Sequence, residues 1–309
     1  MITTVTLNAA IDRTYYVSQF RAGEVHRVAR QVDEPGGKGN NVAKVIRQLG
    51  GQVTATGIIA GASGTFIESS LAERGIQTAF VQAAGESRVC LNILDESSGS
   101  STELLGQGPS ITEIEASGIK ETLHRLALQS SVVVLSGSLP AGAGDGLYAE
   151  LVGIIRSAGA RAFLDTSGAA LSEGLLALPY FVKPNEQELA GWLGREPRGT
   201  SEWTQAAQML ADQGIVQVCV TLGSRGAIAI LEGEGYLVTP PVIKSVNTVG
   251  CGDAFVAGMA YAEECGDSAV KRLRVAAAAA AANAMSDRAG DIDYTLFREY
   301  ARQVNVQVL

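Results

Sequence analysis

The sequence predicts an α/β protein with a doubly wound, mostly parallel sheet and a small β-sheet lid, and two patterns in its 309 residues support this. Short, continuous apolar runs, each closed by a polar residue, alternate with amphipathic helical segments along most of the chain. Such alternation is typical of right-handed βαβ units whose parallel strands are covered by helices on both faces. Two regions depart from it, because strand-like residues follow one another there without a helix between them.

Four apolar runs are predicted to be buried parallel strands, because each is continuously apolar and short. They span residues 132–136, 161–165, 180–183 and 216–222. A helix is predicted over residues 41–49, where apolar side chains recur at positions i, i+3, i+4 and i+7. The alanine run at 276–282 is predicted to be a tightly packed helix, since alanine is the best helix former and permits close backbone approach.

The two exceptional regions are predicted to form a small β layer beside the main sheet. They are residues about 10–35 and about 88–106. Within the second region, residues 88–95 and 102–105 flank a turn-forming segment rich in serine, which is typical of a hairpin. No linker or internal repeat is visible, so we expect one domain over residues 1–309, with a lid formed by these two insertions.

Composition and charge argue against several classes of function. A net charge of −8 and a pI near 5.0 disfavour nucleic acid as a partner but are compatible with a local site for a phosphorylated small molecule. No secretory signal is visible at the N-terminus, and the longest apolar run, residues 275–282, is too short to span a bilayer. The four cysteines form no CxxC pair, which predicts reduced thiols in the cytoplasm and no structural metal.

The most informative motif is the turn Thr-Val-Gly-Cys-Gly-Asp at residues 248–253, which runs directly into an apolar helical stretch. A glycine turn that opens a helix directs unpaired N–H groups and the positive end of the helix dipole at one point. We therefore expect an anion site suited to a phosphate at Gly250, Cys251 and Gly252. Asp253 is unusual in this place, because a bound anion would repel its carboxylate. Asp is a good first-turn residue, but a base beside a phosphoryl group can also take the proton of an attacking hydroxyl.

A second glycine cluster, residues 36–41, opens the first predicted helix. It is not a P-loop, because no Ser or Thr follows Lys38 and the glycine spacing differs. It is not a dinucleotide fingerprint either, because G-x-G-x-x-G is not completed at Val42. One interpretation is a simple turn. The other is that Lys38, in a turn that exposes backbone groups, binds a sugar hydroxyl or a phosphate.

Polar residues follow four of the predicted strands, at the ends where ligands bind in open α/β sheets. These segments are residues 136–140, 165–168, 183–188 and 221–226. One such end is usually a capped turn, but four in register predict a continuous crevice. Asn185 and Glu188 lie three residues apart at a helix start and share one face. They are either a helix cap with its capping-box partner, or residues that position a metal ion or water near phosphates.

The chain resembles the ribokinase-like sugar kinases, the PfkB carbohydrate kinase family, over essentially its whole length. Residues 35–43 are similar to the family's N-terminal signature, and residues 247–255 to its C-terminal one, where Ala usually stands at the position of Cys251. Residues 6–12 and 23–28 are most similar to the branch that phosphorylates ketohexose phosphates. That branch contains 1-phosphofructokinase and tagatose-6-phosphate kinase, with the minor 6-phosphofructokinase a little further away.

The chain also departs from the pattern of this family at several positions. Ala9 stands where Pro is common, His26 where Asn is common, and Asn40 where an aliphatic residue is common. These differences leave the kinase activity expected but leave the choice of sugar open. Residues 286–289 also differ from the usual pattern near the place where relatives close over adenine. Cys251 is either a small buried hydrophobe or, because a helix start favours negative charge, a reactive thiolate.

The resemblance implies a ribokinase-like domain that acts as a homodimer through paired lids. It implies Mg²⁺- and ATP-dependent transfer of the γ-phosphate to a primary hydroxyl of a ketohexose monophosphate. Fructose 1-phosphate, giving fructose 1,6-bisphosphate, is the expected substrate, and tagatose 6-phosphate or fructose 6-phosphate is the alternative. A sensor of sugar phosphate or nucleotide without catalytic activity is a distant alternative, which the presence of Asp253 disfavours. A ribose or nucleoside kinase is disfavoured by Arg88 and Lys38, since an uncharged sugar needs no such cluster.

The resemblance also implies roles for individual residues. Asp253 would be the base, and the amides of residues 250–253 would stabilise charge on the transferring phosphoryl group. The residues expected to bind the sugar phosphate are Asp12, Gly37, Lys38, Asn41, Arg88 and Ser138, with Arg88 as the main ligand of its phosphate. The residues expected to line the nucleotide side are Lys183, Asn185, Glu188, Thr221, Gly223, Gly226 and Asn283. Mg²⁺ would be held mainly by phosphates and water, with Glu188 contributing through water.

Overall fold

The computed structural model describes residues 1–309 and contains two β-sheets, one of 11 strands and one of 4. The strands are β1 (Ile2–Thr6), β2 (Ala10–Val17), β3 (Arg30–Gly36), β4 (Val53–Ala60), β5 (Gln77–Thr78), β6 (Val81–Ala83), β7 (Arg88–Asp95), β8 (Ser101–Leu105), β9 (Val132–Ser136), β10 (Arg161–Asp165), β11 (Phe181–Val182), β12 (Gln217–Thr221), β13 (Ala227–Leu231), β14 (Glu234–Thr239) and β15 (Asn305–Val308).

Ten α-helices cover the main sheet and connect its strands. They are α1 (Lys38–Gln48), α2 (Gly61–Glu73), α3 (Glu113–Ala127), α4 (Leu147–Ser157), α5 (Gly168–Leu176), α6 (Glu186–Leu193), α7 (Gly199–Ala211), α8 (Cys251–Glu264), α9 (Ala269–Asn283) and α10 (Tyr294–Gln303). A single 3₁₀ turn spans Gly223–Arg225. No helix is both long enough and apolar enough to cross a membrane.

The main sheet has the strand order β15-β14-β13-β12-β11-β10-β9-β1-β4-β5. The last strand, β6, also pairs with β4, along the part of β4 that follows its pairing with β5. The strands from β12 to β6 are parallel, and β13, β14 and β15 extend one edge in antiparallel pairs. The carboxyl ends of β1, β9, β10, β11 and β12 therefore meet at one edge of the sheet. The predicted doubly wound, mostly parallel sheet is confirmed.

Alternate residues of the central strand β9 enter two separate cores, because successive side chains point to opposite faces. Val132 and Val134 belong to a core of 43 residues that includes α1, α8 and α9. Val133 and Leu135 belong to a core of 33 residues that includes α3, α4 and α7. Both faces are covered, and this is why the strands of this sheet are continuously apolar in sequence.

The predicted helix over the alanine run is also observed, packed tightly against α8. A Cβ atom added at Gly258 of α8 would lie 2.6 Å from the Cα atom of Ala276. The two helices therefore approach so closely that only glycine fits at this crossing. The small side chains of residues 276–282 extend the same close contact along α9.

Three predicted boundaries differ from the structure. The first helix begins at Lys38 rather than at residue 41, because Gly37 adopts φ 97° and turns the chain directly into the helix. Thus the glycine cluster is itself part of the first turn. The strand predicted over 180–183 is shortened to Phe181–Val182, and Lys183 leaves the ladder and lines the crevice. The strand predicted over 216–222 is shortened by one residue at each end, to Gln217–Thr221.

The small sheet has the order β3-β2-β7-β8 and arises from the two predicted insertions. The predicted hairpin is observed as the antiparallel pair β7–β8, and β2 pairs with β7 in parallel. Both excursions into this sheet leave the carboxyl ends of main-sheet strands, β1 and β6 respectively. The small sheet consequently stands over the edge of the main sheet where ligands bind in open α/β folds.

Candidate active site

A cleft of about 1020 Å³ lies between the small sheet and the carboxyl edge of the main sheet. The predicted site residues that line it are Asp12, Gly37, Lys38, Asn41, Arg88, Ser138, Lys183, Asn185, Thr221, Gly223, Gly226, Gly250, Cys251, Gly252 and Asp253. Thr166 also lines it, so all four strand ends with polar residues contribute to one crevice. Glu188 and Asn283 are the two predicted residues that do not line the cleft.

Two side-chain amides form hydrogen bonds with the backbone of the anion loop, residues 247–253. Gly250 has φ 81° and precedes α8, so the loop enters the helix through a left-handed turn that favours glycine. The Oδ1 atom of Asn247 accepts from the N–H of Val249 at 3.0 Å. The amide of Asn283 donates to the carbonyl of Val249 at 2.9 Å. The loop residues Gly250, Cys251 and Gly252 line the cleft beside the start of α8.

Asn283 is therefore a brace of the anion loop rather than a lining residue. Its Oδ1 atom also accepts from the N–H of Gly290 at 2.8 Å, so both ends of its buried amide are occupied by backbone groups. The prediction that Asn283 contacts nucleotide directly is not supported by this geometry. The direction of this side chain is set by its two backbone partners, Val249 and Gly290.

Asp253 lies in the first turn of α8 and is only 5% exposed. The amide of Asn41, from α1, donates to its Oδ2 atom at 2.8 Å. Burial raises the pKa of Asp253 to about 6, while the positive charge of Lys38 opposes the rise. A carboxylate with this pKa is ionised at neutral pH and is a stronger base than an exposed aspartate, as general-base catalysis requires.

Asp165 was not predicted as an individual site residue, although residues 165–168 were expected to contribute to the crevice. It ends β10, is fully buried, and lies between two ammonium groups: Lys38 Nζ at 3.4 Å from Oδ2 and Lys183 Nζ at 3.2 Å from Oδ1. Burial alone would raise the pKa of Asp165, but the two lysines bring it below its ordinary value. The same ion pair raises the pKa of Lys38. Its place at the end of a predicted strand was the signal that could have identified it.

The two lysines held by Asp165 bring positive charge to the anion loop. Lys183 is buried, and a Cβ atom added at Gly252 would lie 3.4 Å from its Nζ atom. Lys38, at the start of α1, is partly exposed to the cleft. The helix N-terminus and two ammonium groups therefore converge on one place, which favours an anion strongly.

Asp12 projects into the cleft from β2 through a gap left by a glycine. A Cβ atom added at Gly36 of the paired strand β3 would lie 2.1 Å from its Cγ atom, so the carboxylate occupies the space of a missing side chain. Burial raises the pKa of Asp12, and the nearby charges of Lys44 and Arg88 oppose the rise. Lys44 was not predicted as a site residue. It is buried in α1 and donates to the carbonyl of Ala289 at 2.8 Å.

Arg88 stands at the start of β7, where the chain enters the small sheet. Its Nε atom donates to the carbonyl of Asn8 at 3.1 Å, and the amide of Asn8 donates to Ser138 Oγ at 3.2 Å. Arg88 forms no ion pair with a carboxylate, and none of the 16 ion pairs of the chain includes it. Its terminal guanidinium nitrogens are therefore available to an anion in the cleft.

Asn185 and Glu188 form the capping box of α6. The Oδ1 atom of Asn185 accepts from the N–H of Glu188, and Glu188 Oε2 accepts from the N–H of Asn185, both at 2.9 Å. The first of the two interpretations, helix capping, is observed. No group of three or more His, Cys, Asp or Glu side chains is placed to hold a metal ion. The side chains present fit a cation carried by phosphates and water, not one enclosed by protein ligands.

Cys251 is half-buried at the start of α8, and burial raises the pKa of its thiol. The amide of Asn283 lies 3.6 Å from its Sγ atom and only partly opposes the rise. Burial thus disfavours the reactive thiolate that was one of the two interpretations, and its reactivity stays a prediction. The alternative interpretation, a small apolar side chain, agrees with the structure.

Comparison with known proteins identifies the family of the chain. Residues 4–292 match the family described as pfkB family carbohydrate kinase. The chain belongs to this family. It is therefore a phosphotransferase that acts on an alcohol group, and the family implies ATP as the phosphoryl donor.

The chain is similar to several named kinases over nearly their whole length. It is 37% identical to tagatose-6-phosphate kinase of Staphylococcus epidermidis over 99% of both chains. It is 38% identical to 1-phosphofructokinase of Rhodobacter capsulatus over 90% of this chain and 88% of the relative. The structure of phosphofructokinase-2 from Escherichia coli in complex with potassium superposes with a TM-score of 0.93, at 31% identity over 98% of both chains.

The same Escherichia coli enzyme has been solved in other states that are similar to this chain. One is a complex with fructose-6-phosphate, with a TM-score of 0.91, and another is a tetrameric inhibited form, with a TM-score of 0.92. Both are 30% identical and cover 98% of both chains. The ribokinase-like fold predicted from the sequence is confirmed.

Proposed function

We propose that the protein transfers the γ-phosphate of ATP to a primary hydroxyl of fructose 1-phosphate, giving fructose 1,6-bisphosphate. The observation that carries this proposal is Asp253, a buried carboxylate with a raised pKa, at the mouth of a glycine loop that faces two lysines. A base beside a phosphate site is what phosphoryl transfer to an alcohol requires. An arginine with no internal carboxylate partner, Arg88, lies in the same cleft and supports a substrate that already carries a phosphate.

The chemistry follows from the geometry of the anion loop. Asp253 takes the proton from the attacking hydroxyl, whose oxygen then forms the new bond to phosphorus as the bond to the leaving nucleotide oxygen breaks. The N–H groups of Gly250, Cys251 and Gly252 and the ammonium groups of Lys38 and Lys183 stabilise the negative charge on the transferring group. Asn41 donates to Asp253 and holds its carboxylate in one orientation.

The sugar phosphate binds between the small sheet and α1. Asp12 and Asn41 bind sugar hydroxyls, with the backbone of Gly37 and the side chain of Lys38 beside them. Arg88 binds the phosphate of the substrate with two parallel hydrogen bonds, and Ser138 lies close enough, through Asn8, to contribute.

The nucleotide binds on the side of the cleft lined by β11, β12 and the anion loop. The residues on this side are Lys183, Asn185, Thr221, Gly223 and Gly226. Mg²⁺ supplies charge neutralisation on the nucleotide phosphates when bound, and Glu188 contributes through water at most, since its carboxylate caps α6. The residues of the chain position the phosphates rather than enclose the cation.

The choice of sugar is tested with a substrate panel. Fructose 1-phosphate, fructose 6-phosphate, tagatose 6-phosphate and fructose are compared at saturating MgATP by coupled detection of ADP. The proposal expects the highest kcat/KM with fructose 1-phosphate and a much lower one with fructose. A preference for tagatose 6-phosphate, the substrate named for a relative 37% identical, would replace the proposed substrate but keep the reaction class. Absence of turnover with every compound would favour a non-catalytic sensor.

We also propose that residues 1–309 form one domain in which the small sheet, residues about 10–35 and 88–106, acts as the lid. The small sheet also carries a second groove, of about 360 Å³, lined largely by apolar residues. The apolar residues of this groove are Tyr15, Val89, Leu91, Leu104 and Leu105. This apolar groove supports a homodimer in which two chains pair through it. A cytoplasmic location agrees with the use of ATP and a sugar phosphate.

A further inference from the structure

A short connector, residues 84–87, leads from β6 of the main sheet to Arg88 at the start of β7. Its last two residues, Glu86 and Ser87, do not line the cleft. They nevertheless precede the arginine proposed to bind the phosphate of the substrate. The position of that arginine therefore depends on how the connector is held.

Glu86 caps the N-terminus of α2, which lies 23 and 24 residues earlier in the chain. The N–H of Ala62 donates to Glu86 Oε1 at 3.1 Å, and the N–H of Ser63 donates to Oε2 at 3.0 Å. First-turn N–H groups have no partner within a helix, and Ala60, which precedes α2, offers no side-chain acceptor. Hydrogen bonds from these N–H groups lower the pKa of Glu86, so its carboxylate is ionised at neutral pH. A charged residue of the connector thus fills the start of α2.

Gly61 leaves the space that this carboxylate occupies. Its φ of 61° is in the left-handed region that favours glycine. A Cβ atom added at Gly61 would lie 2.2 Å from Glu86 Oε1. Any side chain at position 61 would displace the carboxylate, so the turn before α2 and the connector fit each other closely.

Ser87 attaches the connector a second time, at the end of β4. The N–H of Ser87 donates to the carbonyl of Ala60 at 2.9 Å, and the N–H of Ala60 donates to Ser87 Oγ at 2.9 Å. Ser87 is buried, so these bonds are shielded from water. The residue directly before Arg88 is therefore held to a strand of the main sheet by a reciprocal pair of hydrogen bonds.

The side chain of Arg88 is attached to the neighbouring strand. Its Nε atom donates to the carbonyl of Asn8, which follows β1. Strands β1 and β4 are parallel neighbours, with Thr6 beside Gly57 at their carboxyl ends. The backbone before Arg88 and its guanidinium are thus fixed to two adjacent strand ends of the main sheet.

We propose that Glu86 is a positioning residue for phosphate recognition, which holds the connector on α2 and thereby sets the direction in which Arg88 enters the cleft. Ser87 acts with it. This inference rests on the proposed function. An arginine that is already held in its binding orientation loses less conformational freedom when an anion binds, so the affinity for the anion is higher. Because Glu86 does not line the cleft, its effect reaches the substrate only through Arg88.

The test variant is Glu86→Ala, measured with the best sugar phosphate of the panel. We expect the KM for the sugar phosphate to rise by about 3-fold to 10-fold, because binding must then order the connector that the cap had held. The KM for ATP and kcat should not change. Glu86→Gln, which keeps an acceptor oxygen, should give a smaller rise. Ser87→Ala, which removes the hydroxyl that accepts from Ala60, should raise the same KM.

The matched control is Glu115→Ala, which removes an exposed capping carboxylate from another helix. Glu115 Oε2 accepts from the N–H of Thr112 at 2.8 Å at the start of α3, and neither residue lines the cleft. Both exchanges should lower the midpoint of thermal unfolding by similar amounts, but only Glu86→Ala should change the KM. An equal rise in KM for Glu115→Ala would assign the effect to loss of helix capping in general and would overturn the proposal.

A double-mutant cycle with Arg88→Ala tests whether Glu86 acts through Arg88. In the Arg88→Ala background, Glu86→Ala should leave the KM for the sugar phosphate unchanged, because no guanidinium remains to be positioned. A rise by the same factor in both backgrounds would show that Glu86 acts independently and would contradict the positioning role.

Failure of this inference can be told apart from failure of the proposed function. A wild type that phosphorylates the sugar phosphate, with an unchanged KM in Glu86→Ala, overturns the positioning role alone. A normal KM in Arg88→Ala would instead contradict the proposed recognition of the phosphate. Failure to phosphorylate any sugar phosphate of the panel would contradict the proposed function itself.

Discussion

Asp253 is placed where its ionised form is disfavoured by burial and favoured by its neighbours. Desolvation raises its pKa, whereas Lys38 and the amide of Asn41 lower it, and the balance lies at about 6. For an acid, a pKa raised above the ordinary value of 3.8 means that the ionised form destabilises the fold at pH values above 6. The site thus keeps a reactive carboxylate at neutral pH at the expense of stability.

The pKa of this carboxyl can be measured directly. In the ligand-free protein labelled with ¹³C at aspartate side chains, we expect one carboxyl resonance to titrate near pH 6 and to be absent in Asp253→Asn. The resonance of Asp12, whose pKa is also raised, should remain in the variant and serves as the internal control. A spectrum in which no resonance with a raised pKa disappears on the exchange contradicts the assignment.

Arg88 provides a test of how the substrate phosphate is recognised. Arg88→Ala should raise the KM for the sugar phosphate by about 10-fold to 100-fold, which is the usual value of hydrogen bonds to a charged group. The KM for ATP should not change. The ratio of kcat/KM for the sugar phosphate to kcat/KM for the unphosphorylated sugar should become smaller. Arg21→Ala, an exposed arginine of the same small region, is the control. An unchanged preference would place the phosphate elsewhere, with Lys38 as the next candidate.

At the residue scale, the sequence predicted the parts of the site that depend on local order. Asp253, Lys38 and Asn41 belong to contiguous glycine turns whose geometry follows from the motif itself. No individual role was predicted for Asp165, and the predicted nucleotide contact of Asn283 does not agree with its position, because both roles depend on distant groups. Lys38 and Asp165 are 127 positions apart, and Asn283 and Val249 are 34 apart. For Cys251, the motif predicted the helix start at which it lies, but the sequence did not predict that its thiol is partly buried.

At the scale of elements, the crossing of α8 and α9 positions the anion loop at the start of α8. Gly258 permits this crossing because any side chain there would meet the backbone of Ala276. The apolar stretch after the glycine turn and the alanine run were sufficient to predict the two helices but not the position of their crossing. Helix starts were less predictable than helix cores, as the earlier start of α1 at Lys38 shows.

The crossing can be tested by one exchange at two glycines. Gly258→Ala should lower the free energy of unfolding by about 1–3 kcal/mol, because overpacking forces the helices apart. Gly153→Ala, in the exposed face of α4 where nothing lies within 4 Å, should be neutral or stabilising, since alanine has the higher helix propensity. Thermal unfolding midpoints check both variants. Equal midpoints for the two would contradict close packing of α8 on α9.

At the scale of the whole molecule, the order of apolar runs and helices was enough to predict the doubly wound sheet. The parallel pairing of β2 with β7 was not predicted, because those strands lie in different insertions and their register depends on the assembled fold. The same limit applies to assembly. The groove on the small sheet includes Leu104, which is 55% exposed, but the sequence does not show which surface covers this side chain.

Assembly through this groove is testable by sedimentation. We expect the protein to sediment with twice the mass of one 32.1 kDa chain, and Leu104→Asp to sediment as one chain, because a charge in the centre of an apolar interface is costly to bury. Leu128→Asp, an exposed leucine at the end of α3, is the control and should remain a dimer. A monomeric wild type would remove the dimer, and dimers in both variants would place the interface on another face.

The most direct test of the proposed mechanism is the turnover of Asp253→Asn. The exchange keeps the shape of the side chain and removes only its ability to take a proton. We expect kcat to fall by roughly 10²-fold or more, with little change in the KM values for ATP and sugar phosphate. The midpoint of thermal unfolding should not fall, since a buried charge has been removed. A variant with nearly normal kcat would show that Asp253 is not the base.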